Sequence, residues 1–241
     1  MKSILQDVLD HLTKDYPVKS VGVYSHSILV TSCFSGIAST VLGNQPHGEE
    51  LVPEAGYLLE KSALQLAASC TSQNSLEAGI GLAAINSLLE IPQGNVRSGN
   101  VVQILEKQGK GKKIALIGHF PFISRLKQTA KDVWVIDFNP APGEFHPDDA
   151  PRLLPQADII AMTANTLITK MAEDYLTQCN PSALKIMLGP STPMLATLFE
   201  HGLDILAGVR VTDPDLVQRF LSQGASFSQL QGVEKITLFK N

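Results

Sequence analysis

Polar side chains follow five apolar segments in the second half of the chain, at the point where each segment ends. The segments have the length and composition of buried strands, and helical patterns separate them. Because ligands of open parallel α/β sheets bind beyond the carboxyl ends of the strands, the residues at these ends are candidates for ligand contact. The candidates are His119, Asp137, Asn165, Thr166, Gly189, Ser191 and Thr192.

The stretch LGPSTPM, residues 188–194, has the pattern of a strand that turns into a helix. Thr192-Pro193 has the order of an N-cap followed by a first-turn proline, and the X-Pro steps at 120–121 and 213–214 repeat it. Capping does not explain Gly189-Pro190-Ser191, because these residues precede the cap. A glycine that ends a strand permits close approach of a ligand or of another backbone. Amide groups at a helix start, with hydroxyls beside them, suit a carboxylate or phosphate, so we expect an anion here and at residues 163–166.

A proline-rich loop at residues 140–151 concentrates acidic side chains and a histidine. Carboxylates and an imidazole this close together can bind a divalent or heavy metal ion, whereas a solvated acidic loop is the ordinary alternative in the absence of a fixed ligand spacing. His119, directly after the first strand, could be a ligand, a general acid/base or a hydrogen-bonded residue facing a cleft. The candidate metal ligands are His119, Glu144 and His146.

Asp137 lies 19 residues after Gly118, at the end of the second strand. An acid at this position often binds the ribose of a nucleoside, although aspartate at a strand-to-loop junction also starts turns for structural reasons. The glycine fingerprint of dinucleotide sites is missing, and Phe120-Pro121-Phe122 takes its place. We therefore expect no NAD or FAD. No nucleophile-elbow motif occurs, and no catalytic residue is identified.

The composition limits the class of protein. The chain has 241 residues, 44% of them hydrophobic, and a net charge of −4 with scattered basic residues, so nucleic acid is not an expected partner. No apolar stretch approaches the roughly 20 residues of a membrane helix, and the acidic N-terminus is unlike a signal peptide, which predicts a cytoplasmic protein without a membrane partner. The three cysteines are odd in number and far apart, which indicates free thiols. A homo-oligomer is compatible with all of this.

The hydrophobic patterns predict two domains with different architectures. Residues 1–95 begin with an amphipathic helix and continue with a hairpin around Ser25-His26-Ser27 and two helices at about 56–69 and 74–90, the second rich in small residues and therefore buried. Residues 96–112 form a linker and connecting helix. Residues 113–241 alternate strands and helices, as in a doubly wound, mostly parallel Rossmann-like ligand-binding domain, with a possible edge strand at 234–240.

Four segments in this order, GHFPFI, LLPQADIIAMTANTLITKM, LGPSTPM and HGLDILAGVRVTD, resemble the heavy-metal-chelation family, whose C-terminal domain is Rossmann-like. The helix EAGIGLAAINSLL resembles the N-terminal domain of that family, which has the fold of the enolase N-terminal domain. The pair GPSTP and G-x-D-x-x-A-G, the latter at 202–208, carries most of the likeness. The resemblance implies a small α+β domain followed by the Rossmann-like domain, with a ligand site in the cleft between them. It also implies an acidic residue in the loop after the second strand, here Glu144, and a contact of Asn86 in the N-terminal domain with the ligand in the cleft.

Two functions follow from these residues. The first is heavy-metal chelation, or binding of a small anionic ligand, in an interdomain cleft. The alternative is an enzyme acting on a nucleoside-containing substrate, such as an S-adenosylmethionine-dependent methyl transferase, with Asp137 on the ribose and His119 as acid/base. A purely structural protein is disfavoured by the clustering of polar residues at strand ends, and the sequence leaves open whether the chain catalyses a reaction.

Overall fold

The fold consists of a small antiparallel unit and a larger, mostly parallel sheet. A computed structural model describes residues 3–42, 50–91, 96–98 and 101–240. The N-terminal unit contains α1 (Ile4–Asp10), β1 (Ser20–Val23), β2 (Ser27–Thr31), β3 (Ser35–Ser39), α2 (Ala63–Ala68) and α3 (Ser75–Leu88). Its three strands form an antiparallel sheet in the order β1-β2-β3, which confirms the predicted hairpin.

Small residues let α3 pack directly on its neighbours. A Cβ atom added to Gly81 would lie 2.1 Å from the backbone nitrogen of Cys70, and one added to Gly36 in β3 would lie 2.2 Å from the carbonyl oxygen of Ala83. Only glycine permits these approaches, so the prediction of a buried small-residue helix is confirmed. The helix predicted at about 56–69 is shorter than expected: α2 begins at Ala63, because Ser62 caps it in a capping box with Gln65.

The larger sheet is built from the rest of the chain. Its elements are β4 (Val96–Ser98), α4 (Val101–Gln108), β5 (Lys113–Ile117), α5 (Ile123–Leu126), β6 (Asp132–Ile136), α6 (Ala150–Leu153), β7 (Ile159–Thr163), α7 (Asn165–Ile168), α8 (Ala172–Gln178), β8 (Leu184–Leu188), β9 (Ile205–Val211), α9 (Pro214–Ser222) and β10 (Val233–Phe239). None of the helices in the described ranges is both long and apolar enough to cross a bilayer.

The strand order is β4-β10-β9-β8-β7-β5-β6. Strands β6, β5, β7, β8 and β9 run parallel, whereas β10 pairs antiparallel with both β9 and β4. The predicted fold class, a small α+β unit followed by a mostly parallel α/β sheet, is confirmed. The last strand is not at the edge as predicted, because residues 96–98 of the predicted linker pair with its outer side. The predicted domain limits, and the likeness of the first unit to the enolase N-terminal domain, stay predictions.

Both faces of the larger sheet are covered. Leu116 of β5 packs in one buried cluster with Leu105 of α4 and Leu126 of α5. Ile117, the next residue, points to the opposite face and belongs to a second cluster that continues into the N-terminal unit, where it includes Ile85 of α3. The two units therefore share one apolar core rather than meeting at a polar surface.

Two of the three predicted proline helix starts are wrong. No helix follows Thr192-Pro193 directly, and the next regular element is a 3₁₀ helix at Ala196–His201. At Phe120-Pro121, α5 begins only at Ile123. At Asp213-Pro214 the prediction is confirmed, since the Asp213 carboxylate accepts a hydrogen bond from the amide of Leu216 at 3.0 Å. Thr192 differs from Asp213 in being buried, with only 2% of its surface exposed. Its packing against the rest of the protein, rather than a local preference for capping a helix, decides its conformation.

Polar contacts fasten α1 to the larger unit. The Asp7 carboxylate accepts hydrogen bonds from the His201 ring at 3.0 Å and from the Thr197 hydroxyl at 3.2 Å, and Glu173 accepts one from the Ile4 amide at 2.6 Å. The hydrogen bond from His201 is the largest cause that lowers the pKa of Asp7 from its ordinary 3.8. Because the folded-state pKa is depressed, the contact stabilises the fold above the unfolded-state pKa and is lost as the pH falls through the folded-state pKa.

We expect Asp7→Asn to lower the melting temperature at neutral pH, because the amide removes the charge that His201 and Thr197 face. The difference from the parent chain should begin to shrink below about pH 4, near the unfolded-state pKa, and should vanish below the depressed folded-state pKa, where the Asp7 carboxylate of the folded parent is protonated. Circular dichroism melting between neutral and acidic pH measures both. Asp215→Asn, at an exposed position of α9, is the control. An unchanged difference across the pH range would show that the Asp7 charge does not stabilise the fold.

Candidate functional site

The strand order reverses at β5, since β6 lies on one side of it and β7 on the other. At this switch point the loops after β5 and β7 diverge, which is where open α/β sheets bind ligands. A cavity of about 350 Å³, here called the switch-point cavity, lies at these strand ends. Its polar lining residues are His119, Asp137, Thr163, Asn165, Thr166, Thr169 and Tyr175. Val41 of the N-terminal unit also lines it, so the cavity lies between the units.

Gly118, directly after β5, lines the switch-point cavity. Its φ is +100°, and a Cβ atom there would approach the Cγ2 of Thr163 to 2.9 Å. Both conditions favour glycine, because other residues rarely adopt this backbone conformation. The glycine therefore allows the loop that carries His119 to turn next to the end of β7.

Asp137 closes a turn, as its position at a strand-to-loop junction suggested, and it also lines the switch-point cavity. Its Oδ1 accepts a hydrogen bond from the amide of Asn139 at 3.0 Å. Burial, and then the negative charge of Asp137, raise the pKa of Tyr175 on the other side of the cavity. Phe138 follows Asp137 at the cavity with 55% of its surface exposed. An exposed ring beside a carboxylate can stack on a planar ligand whose polar groups face Asp137.

The residues after β7 are tied to one another. The Thr163 hydroxyl accepts from the Asn165 amide at 3.3 Å, and the Thr166 hydroxyl donates to the Thr163 carbonyl at 2.7 Å. Helix α7, which they begin, has only four residues. Such a short helix lacks the aligned amides of an anion site, so the expected helix-start anion site has no structural basis here.

Ser191 joins the two units. Its hydroxyl accepts from the Ser39 amide at 2.8 Å and donates to Asn165 Oδ1 at 3.1 Å, while its carbonyl accepts from the Asn86 side chain at 3.2 Å. The side chain is completely buried. Gly189-Pro190-Ser191, which the sequence left without a folding explanation, thus has one: Ser191 is a buried polar junction between β3, α3 and the end of β7.

This junction divides the residues predicted to line one cleft. Asn165 and Thr166 line the switch-point cavity, whereas Asn86 and Thr192 line a second interdomain cavity of about 320 Å³ with Phe34 and Arg210. The hydroxyl of Thr192 is buried and has no hydrogen-bond partner within the described part of the chain. Gly189, with φ +121°, lines a third cavity of about 440 Å³ on the other face of the sheet.

Glu144 lies next to His119, which lines the switch-point cavity. The His119 Nδ1 lies 3.5 Å from Glu144 Oε1, and the His119 side chain is 59% exposed whereas that of Glu144 is only 8% exposed. Glu144 Oε2 accepts a hydrogen bond from the Ala141 amide at 3.0 Å, which fixes the carboxylate. An oriented carboxylate beside an accessible imidazole is a pair of donors for a metal ion.

His146, the third predicted metal ligand, lies apart from this pair. Its Nδ1 is 3.0 Å from the Asp148 carboxylate, and its ring meets Phe138 edge-on at 6.5 Å. Among the residues that the structure describes, no three or more His, Cys, Asp or Glu side chains are grouped as a metal site. The structure therefore brings His119 and Glu144 together and leaves His146 outside the pair.

Two family models match this chain, both with the description "Putative heavy-metal chelation". One matches residues 100–240 and the other residues 5–89. The chain belongs to this family. The first model covers more than half of the chain and includes the strand ends that line the switch-point cavity, and the second covers most of the N-terminal unit.

Solved structures of similar proteins have the same fold. A protein of unknown function from Desulfitobacterium hafniense is 25% identical, with a TM-score of 0.85 and 98% of each chain covered. A family protein from Pyrococcus horikoshii, 20% identical, has a TM-score of 0.80 over 99% of this chain and 100% of the other. An uncharacterized protein of Methanocaldococcus jannaschii is 26% identical over 167 residues, which are 66% of this chain and 64% of that relative, less than two thirds of its length.

The predicted site residues did not include several residues that line the cavity, among them Val41, Phe138 and Tyr175. Tyr175 lies in α8, far from any strand end, and Val41 follows β3 in the other unit, so no local pattern marks them. Phe138 carried a signal that could have been used, because a large aromatic residue directly after a candidate ligand residue is expected to be buried or to contact a ligand.

We expect Ser191→Ala to lower the free energy of unfolding by about 1–3 kcal/mol, because it removes the hydrogen-bond partner of the partly buried Ser39 amide and the donor to Asn165 Oδ1. Urea unfolding followed by circular dichroism measures this. Ser182→Ala, at an exposed position, is the matched control and should change the stability little. Equal stabilities of the two variants would show that the Ser191 junction does not hold the units together.

Proposed function

We propose that the chain binds a metal ion together with an organic chelating ligand in the switch-point cavity. The observation that carries the proposal is the His119–Glu144 pair, in which His119 lines the cavity and its Nδ1 lies 3.5 Å from Glu144 Oε1. In a tetrahedral site with bonds of about 2.1 Å, neighbouring donor atoms are about 3.4 Å apart, so this spacing suits two ligands of one ion. The description of the family supports the same class of ligand.

Two protein donors leave the coordination of an ion incomplete, since structural and catalytic zinc sites use three or four. The adjoining cavity offers space for a small molecule that supplies the remaining donors. Its volume of about 350 Å³ falls within the roughly 300–1,000 Å³ of small-molecule sites. Phe138 offers an aromatic face, and Asp137 and Asn165 offer polar contacts to such a molecule. The ligand, rather than the protein alone, thus completes the chelation.

We expect zinc picolinate, whose planar ring carries a nitrogen and a carboxylate donor, to bind more tightly than Zn²⁺ alone. His119→Ala and Glu144→Gln should each weaken binding of the complex about tenfold or more, the usual effect of losing a group that holds a metal. Isothermal titration calorimetry of the parent chain and the variants measures this. His146→Ala is the matched control, because this histidine is in the same region but outside the pair.

Equal affinities of all three variants would contradict the proposal, since the metal complex would then bind elsewhere. Tighter binding of Zn²⁺ alone than of zinc picolinate would contradict the role of the organic ligand. Circular dichroism melting of each variant establishes that a loss of binding is not a loss of folding.

A second candidate function rests on Asp137. The carboxylate follows β6, the strand beside β5 at the switch point, and lines the cavity next to the exposed ring of Phe138. A carboxylate that accepts hydrogen bonds from a ribose and a ring that stacks on a base together suit a nucleoside-containing ligand. His119, at the cavity rim, would be the acid/base group of an enzyme acting on such a substrate.

We expect S-adenosylmethionine or adenosine to raise the melting temperature if this second function holds, because a ligand that binds only the native state stabilises it. Asp137→Asn should reduce the shift, since an amide replaces the acceptor of the two ribose hydroxyls. Asp132→Asn, at the start rather than the end of the same strand, is the control. A shift with zinc picolinate and none with either nucleoside would exclude the second function and support the first.

A further inference from the structure

The cavity of about 440 Å³ on the opposite face of the sheet has a different chemistry from the switch-point cavity. It lies at the carboxyl ends of β5, β7 and β8 and beside the middle of β9, on the face covered by α4 and α5. All its lining residues belong to the larger unit, from Val101 onwards. We call it the aromatic cavity.

Its walls are mainly apolar and include three phenylalanines. Phe120 and Phe122 stack with ring centres 5.2 Å apart and planes inclined by 15°, and Phe227 lies across the cavity mouth beside Lys235. Leu188 and Val209 contribute aliphatic surface. The segment Phe120-Pro121-Phe122, which takes the place of a dinucleotide glycine motif, thus forms the wall of a pocket suited to an apolar body.

The charged side chains that line the aromatic cavity are basic. They are Arg125 and Lys235, and no carboxylate is among the described lining residues. Arg125 is paired with Glu106, Nη2 to Oε1 at 2.5 Å, so its charge is balanced. The Lys235 ammonium lies 5.9 Å from the centre of the Phe227 ring, and the described part of the chain places no carboxylate within ion-pair distance of it. Lys235 therefore adds an unbalanced positive charge at the mouth, although the chain as a whole carries −4.

We infer that the aromatic cavity binds a small amphipathic anion, a carboxylate on an aromatic body. The body packs on Phe120, Phe122 and Leu188, and the carboxylate lies at the mouth near Lys235. His119 and Thr163 line both this cavity and the switch-point cavity, so the two occupants lie on either side of these residues. The aromatic cavity is distinct from the metal site proposed above, and its ligand binding is tested in the absence of metal ions.

Binding is tested by titrating anilinonaphthalene sulfonate, an aromatic anion that fluoresces in apolar surroundings, and displacing it with phenylpropionate. We expect saturable binding at one site, displaced by phenylpropionate and about three- to fivefold less effectively by phenylpropionamide, which has the same body without the charge. Lys235→Gln should weaken phenylpropionate about three- to fivefold, as expected for loss of a partly exposed charge contact. Lys14→Gln, an equal change of charge at an exposed position of the N-terminal unit, should leave it unchanged.

A second variant separates the cavity from other apolar surfaces. Ser228 is exposed at the mouth, and Ser228→Trp should block entry and abolish the saturable signal, whereas Ser182→Trp should not. Circular dichroism melting establishes that both variants are folded. Absence of saturable binding, equal displacement by the amide, or binding that survives Ser228→Trp would each overturn the inference. None of these outcomes depends on whether His119 and Glu144 bind a metal.

Discussion

The buried hydroxyl of Ser191 is the contact on which the arrangement of the two units depends. A polar group removed from water must be paired, and Ser191 finds its partners in the Ser39 amide of the small sheet and the Asn165 side chain after β7. The surrounding core is continuous across both units, and its apolar contacts are not directional. Ser191 therefore adds directional bonds to this interface, as do the contacts of α1 with Glu173 and His201. Val41, two residues after Ser39, lines the switch-point cavity together with Asp137 and Asn165.

The same junction explains why the strand ends carry polar residues that do not all face one ligand. Ser191 and Thr166 use their hydroxyls within the fold, whereas His119, Asp137 and Asn165 line an accessible cavity. Polar residues at the ends of parallel strands can therefore either form hydrogen bonds within the fold or line a ligand cavity, although the residue types are the same. The hydrogen-bond partners, rather than the residue types, decide which role each position has.

Charge is distributed differently on the two faces of the larger sheet. Asp137 and Glu144 lie on the side of the N-terminal unit, with His119 at the boundary, while the charged groups of the aromatic cavity are Arg125 and Lys235. The proposed metal site and the inferred anion site thus lie near charged groups of different sign. Glycines at the ends of β5 and β8, both with positive φ, let the loops turn sharply between these faces.

Sequence patterns determined the fold class, the hairpin, the buried small-residue helix and the parallel strands, because these depend on hydrophobic period and on residue size, which are local properties. They also predicted that His119, Asp137 and Asn165 lie near one another, since the ends of parallel strands meet at one edge of a sheet. They did not determine that no helix begins at Pro193, that β4 pairs with the outer side of β10, or that the Ser191 hydroxyl is hydrogen-bonded within the fold. Nor did they place Tyr175 and Val41 in the cavity. Those features depend on tertiary contacts, some with partners more than 100 residues away in the chain, such as Ser39 for Ser191. Only the tertiary structure decides which distant groups satisfy a buried donor or acceptor.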